Sequence, residues 1–135
     1  MALQYSVTVR NAQLDALETA VGASAVLKIR TGAAPASCAA ADSGTVLATL
    51  NLPSDWMAAA SSGSKAKSGT WEDTSADATG TAAHWRLYAS DGTTCHAQGT
   101  ITATGGGGDM TRDNTSVATG QTVTVTSFTI SAGNA

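Results

Sequence analysis

TVTVTSFTI, residues 122–130, decides the fold class of this chain. Val123 and Val125 alternate with Thr122, Thr124 and Thr126. That period of two gives one apolar and one hydroxylated face, as in a half-buried antiparallel strand. Phe128 and Ile130 then carry the opposite parity to Val125. A β-bulge near Thr126 and Ser127 would absorb the slip and keep all four large side chains inward. The surrounding tail, TRDNTSVATGQTVTVTSFTISAGNA (111–135), contains no Lys and no Glu. Such a segment builds the edge of a sandwich or barrel.

Working outward, 135 residues leave room for one domain with one core. Charged residues are 13% of the chain and aromatics 4%, while Ala, Ser, Thr and Gly supply more than half. Disorder usually accompanies high net charge, and here the net charge is only −3. The long, well-phased β-branched runs instead describe an all-β domain with hydroxyl-rich outer faces. Within it we expect an N-terminal helical segment, 1–22, and a β-sandwich, 23–135.

The helix is read over residues 6–21. Val7, Leu14, Leu17 and Val21 fall near one stripe, with Asp15 and Glu18 off it. Ser6 or Thr8 is placed to cap its start, and Gly22 follows as a residue free to turn left-handed. Strands come next. Ala25, Leu27 and Ile29 alternate with Val26, Lys28 and Arg30, which predicts one wet face. In TVLATLNLP (45–53), Val46, Ala48, Leu50 and Leu52 share parity and Pro53 ends the run. Ser54 is placed to cap a short helical turn, DWMAAA. SSGSKAKSG (61–69) reads as an exposed, flexible loop.

The segment TAAHWRLYASDGTTCHAQGTITAT (81–104) is a hairpin. A two-residue Asp91-Gly92 turn would pair Tyr88 with Cys95 and separate the apolar sets onto opposite faces. A three-residue loop, Ser90 to Gly92, pairs Leu87 with Cys95 and Trp85 with Ala97. The second register is expected because it turns both apolar sets, and Cys95, inward. Strands at this spacing, with turn signals between them and no internal repeat, describe an antiparallel β-sandwich or jelly roll with one N-terminal α-helix.

The chemistry-bearing residues assemble no reactive constellation. Cys38 and Cys95 are read either as one disulfide or as two separate small core residues. His84 and His96 both have outward parity, too few ligands for zinc. Glu72, Asp73 and Asp77, and Asp109, Asp113 and Asn114, lie in polar loops where nothing would raise a carboxyl pKa, so turn capping explains them. The second group also lacks the spacing of a calcium loop. Gly105 to Gly108 precede Asp109 and Met110, not the Lys-Ser/Thr pair of a phosphate loop. No Gly-x-Ser-x-Gly elbow is present. We therefore expect no catalytic, cofactor-binding or metal residue and no enzyme activity.

Partner classes narrow in the same way. A pI near 5.0 with scattered basic residues argues against nucleic acid. No apolar run approaches the ~20 residues of a membrane span. MALQYSVTVR lacks the basic and apolar regions of a signal peptide, so synthesis in the cytoplasm is expected. Trp56 and Trp71 could stack on sugars if exposed, whereas Trp85 has core parity.

Three stretches carry a likeness to a known group: YSVTVRNAQLDALETAVGASAVLKIRTGAAPASCAAADSGTVLATLNLP (5–53), SGTWEDTSADATGTAAHWRLYASDGTTCHAQGT (68–100) and DMTRDNTSVATGQTVTVTSFTISAGNA (109–135). Together they resemble small structural proteins of tailed bacteriophages, with capsid decoration (cement) proteins of jelly-roll type as the nearest functional picture. The likeness covers nearly the whole chain, is one of overall pattern and carries over no site residue. It implies a homo-oligomer on the virion's capsid surface, made in the host cytoplasm and bound to the major capsid protein. The alternative is a tail- or fibre-associated receptor- or glycan-binding module. The helix and the loops 61–69 and 105–108 are the expected docking elements.

Overall fold

A computed structural model of the chain describes residues 3–132. In chain order the elements are α1 (Val7–Val21), β1 (Val26–Arg30), β2 (Val46–Asn51), β3 (Ser64–Ala66), β4 (Trp71–Asp73) and β5 (Gly80–Thr81). Then come β6 (His84–Tyr88), β7 (Cys95–Ala103), β8 (Met110–Arg112), β9 (Ser116–Val117), β10 (Val123–Val125) and β11 (Thr129–Ser131). The fold is mainly β, a sandwich with one N-terminal helix, as the alternating runs imply.

One layer is a five-stranded sheet in the order β2-β1-β6-β7-β8. The opposite layer consists of two-stranded ribbons, β4 with β10 and β3 with β11, and β5 pairs with β9. Leu27, Ile29, Ala48, Leu50, Trp85 and Leu87 from the large sheet meet Trp56, Trp71, Val123 and Val125 in one buried cluster. Phe128 bridges the layers, with its ring centroid 5.8 Å from Trp71 and 5.5 Å from Trp85.

The parity slip in 122–130 is real, but its cause is not a bulge. Val123 and Val125 pair with β4, whereas Ile130 pairs with Lys65 of β3. Residues 126–128 carry the chain from one ribbon to the next. All four large side chains still point at the core, Phe128 and Ile130 being partly buried against it.

Several sequence expectations are overturned. Asp91 Oδ1 accepts from the Thr93 and Thr94 N–H groups, and Ala89 N–H donates to Thr94 O, closing a four-residue loop. Tyr88 therefore pairs with Cys95, and a bulge then places Leu87 opposite Ala97 and Trp85 opposite Gly99. His96 is the extra residue, so both apolar sets reach the core by a bulge instead of by a shorter loop. Cys95 ends up half-exposed beside Tyr88 and does not enter the core.

The expected wet face of β1 is covered. Arg30 and Val26 are buried and Arg86, beside them on β6, is 1% exposed, because residues 31–45 fold across this face. His84 is likewise buried, its Nδ1 2.7 Å from Gly32 O, contrary to its outward parity; His96 is exposed as expected. No helical turn follows Ser54. Trp56 and Met57 are both buried and Met57 bridges to Lys67, which an extended backbone permits. Residues 64–66 of the expected loop form β3, and Lys65 is buried.

Residues 105–108 form the turn between β7 and β8, which pair in parallel, Ile101 opposite Met110. Such tight folding back needs glycine: Gly105 and Gly107 have φ of +88° and +80°, and a Cβ on Gly108 would lie 2.9 Å from Thr102 Oγ1.

Candidate functional site

Among the described residues, the large apolar side chains left in solvent are Leu3, Tyr5, Val7 and Val9, with Leu3 the most open at 71%. They lie together on the segment entering α1 and on its first turn. Ser6 caps that turn, its Oγ accepting from Val9 N–H at 3.2 Å, and the Gly22 N–H donates to Glu18 O at the other end. Val7 belongs to the core stripe by spacing, yet only Leu14 and Val21 of that stripe are buried.

What holds this segment in place is a polar clamp. The Lys65 ammonium, 2% exposed, lies 2.6 Å from Asp15 Oδ1 and 2.9 Å from Glu18 Oε2. Burial alone would lower the Lys65 pKa, but the two carboxylates outweigh it and hold the ammonium above its ordinary value. In return the Lys65 hydrogen bond, joined by the Ala60 N–H at 3.0 Å, holds Asp15 below the usual carboxylate range. Asn11 Oδ1 accepts from Gly63 N–H at 2.9 Å and Arg10 Nη1 donates to Ala132 O. At the far end Trp56 Nε1 donates to Gly22 O at 2.9 Å. The helix is thus part of the single core, presented in one orientation.

The structure brings two of the expected docking elements together. The turn 61–64, closed by reciprocal Ser61–Ser64 backbone bonds, abuts the first half of α1 through Gly63. Beside it, an open groove of about 600 Å³ runs between α1 and residues 54–59, with Glu18, Asp55, Met57 and Lys65 in its walls. Its lysine is already paired with two acids, and the hydroxyl residues Thr19 and Ser54 complete its polar lining.

Turn capping accounts for only part of the remaining expected residues, since Glu72, Asp73 and Asp77 also accept from distant segments. Asp73 accepts from the Thr49 and Ser75 N–H groups, Asp77 from the Thr49 hydroxyl and Glu72 from the Thr124 hydroxyl. Asp109 accepts from Thr100, and Asn114 from Ser116 N–H. Among the described residues, no three His, Cys, Asp or Glu side chains gather as a metal site. Trp56 and Trp71 are each 1% exposed, so the platform a sugar would stack on is absent from these two side chains. No helix among the described residues is long and apolar enough to cross a membrane.

Two groups escape a reading of the sequence alone. Lys65 sits among Ser, Gly and Ala, which disguises it as a loop residue; its signal is the Asp15/Glu18 pair on one helix face without a cation at helical spacing. Leu3, Tyr5, Val7 and Val9 recur at every second residue, a period the helix does not share, and that mismatch marks side chains the core does not take.

Comparison with known proteins adds no relative. No family model, no curated protein and no solved structure matches the chain.

Proposed function

We propose that this chain is a non-enzymatic virion structural protein of a tailed bacteriophage, a capsid decoration protein that binds and stabilises the shell of major capsid protein. The virion setting rests on the sequence pattern over residues 5–53, 68–100 and 109–135. The mode of binding rests on one observation: the exposed large apolar side chains Leu3, Tyr5, Val7 and Val9 follow one another along the segment entering α1 and its first turn, on a helix that Lys65 ties to the domain.

A decoration protein folds alone and then covers shallow protein surfaces in many copies. Weak contacts multiplied by symmetry suffice for that task, and a deep pocket is not needed. Exposed apolar side chains within a hydroxyl-rich, weakly charged surface suit it. Burial of these side chains against the assembled shell would stabilise that state by mass action.

Immunogold labelling of intact virions with antibody against this chain tests the reading. Even labelling of the heads supports it. Label confined to the tail or fibres transfers the assignment to a tail-associated module, and unlabelled virions overturn both. A second test replaces Leu3, Val7 and Val9 by Ser in the full chain. Affinity for heads should fall about tenfold or more while thermal stability is kept.

A further inference from the structure

Cys38 and Cys95 are far apart in sequence but meet on the outer face of the large sheet. Residues 31–45 cross that face, and Arg86 fastens them. Its Nη2 donates to Cys38 O at 2.9 Å and Ser37 O at 3.3 Å, and its Nη1 reaches Ala40 O and the Asp42 carboxylate. Arg30 Nη2 holds the other oxygen of Asp42 at 3.0 Å, and the Tyr88 hydroxyl donates to Asp42 at 2.7 Å. Tyr88 is in turn the cross-strand partner of Cys95. This clamp holds the Cys38 segment against the start of β7, where the Cys95 thiol interacts with the Cys38 thiol. Both thiols are free and half-exposed, so a small reagent can reach them.

We infer that Cys38 and Cys95 form a redox-responsive pair, closing to an intramolecular disulfide on exposure to a low-molecular-weight disulfide such as glutathione disulfide. Closure would staple residues 31–45 to the β6–β7 hairpin, adding a covalent tie where Arg86 now supplies hydrogen bonds. The Cys38 thiolate attacks one sulfur of glutathione disulfide, forming a mixed disulfide and releasing one glutathione. Cys95 then gives up its proton and attacks the Cys38 sulfur, forming the Cys38–Cys95 bond and releasing the second glutathione. The protein loses two electrons and two protons, and glutathione disulfide is reduced to two thiols. Burial, then the neighbouring Cys38 thiol, pushes the Cys95 thiol up to about 11, so Cys95 is protonated near neutral pH and gives up its proton only as it attacks. None of this depends on the virion reading.

The test is incubation of the folded full-length chain with glutathione disulfide, followed by non-reducing mass spectrometry and thiol titration without and with denaturant. The expected product is a monomer lacking two hydrogens and both titratable thiols, melting higher than the reduced chain and restored by dithiothreitol. Cys38→Ser and Cys95→Ser should each stop at a single glutathione adduct. Two adducts on the native chain, a disulfide-linked dimer, or thiols that stay titratable would each overturn the pairing.

Discussion

Asp15 Oδ1 lies 2.6 Å from Lys65 Nζ although 50 residues separate the two in sequence. That contact, shared with Glu18, ties α1 to β3.

Breaking this clamp from its two sides should have unequal effects. Removing both carboxylates, Asp15→Ala with Glu18→Ala, leaves Lys65 buried without an anion and should lower the urea midpoint clearly. Lys65→Met keeps the buried stem, removes the charge and should stay within about 1 kcal/mol of the parent, since a buried pair is often no better than an apolar substitute. A Lys65→Met variant as unstable as the double carboxylate variant would contradict this account.

Stability should depend on pH at both extremes. Asp15 is held below 3.8 by Lys65, and Asp42 by Tyr88, Arg30 and Arg86 acting against its desolvation. A depressed carboxylate stabilises the fold above its unfolded pKa, and that stability is lost as pH falls through the folded value. Burial and then Asp42 raise Tyr88 from 10.0 to about 12, and Lys65 is raised above 10.5. Those contributions are complete below pH 10 and disappear as pH climbs toward 12 and beyond. With Cys95 likewise raised from 9.0 to about 11, melting temperatures should hold a plateau between about pH 4 and 9 and fall on either side. An Asp42→Asn chain should melt lower on the plateau and show a shallower acid limb.

The tryptophans should behave as interior groups. Trp71 Nε1 donates to Trp56 O at 3.1 Å and to Ser68 O at 3.2 Å, tying β4 to the segment after Pro53. Native fluorescence should resist acrylamide and become quenchable only on unfolding. Trp71→Ala should cost about 3–5 kcal/mol in denaturant titrations. Ready quenching of the native protein would restore the case for a sugar-stacking surface.

Two glycines with the same backbone angle should differ sharply. Gly44, φ +70°, has Thr31 O only 2.0 Å from where a Cβ would stand, whereas Gly92, φ +71°, has open space there. Gly92→Ala should cost about 1–2 kcal/mol for the left-handed conformation alone. Gly44→Ala adds a clash with backbone and should destabilise by several times that in the same thermal melts. Equal costs would mean that the 31–45 segment can shift away from Thr31.

Period-two runs in 25–30, 46–52 and 122–130, and the capped stripe of 6–21, made the β-sandwich and its helix legible from the chain alone. Those patterns report which side chains share a face, because strand and helix geometry are local. They do not report what covers that face. Lys28 and Arg30 alternate like a solvated edge, yet residues 31–45 return over the same face, so Arg30, Arg86 and His84 became interior groups. The hairpin register depended on how the Asp91 side chain satisfies two N–H groups, which apolar parity does not encode.

The candidate site divides along the same line. Composition alone argued against nucleic-acid and membrane partners, since charge clustering and apolar run length can be read directly from the chain. Only the tertiary structure decided that Lys65 is interior, that Trp56 and Trp71 are shielded, and that Leu3, Tyr5, Val7 and Val9 are left outside. Each of those outcomes depends on which distant segment folds over which side chain, and burial by a distant segment leaves no local trace in the sequence.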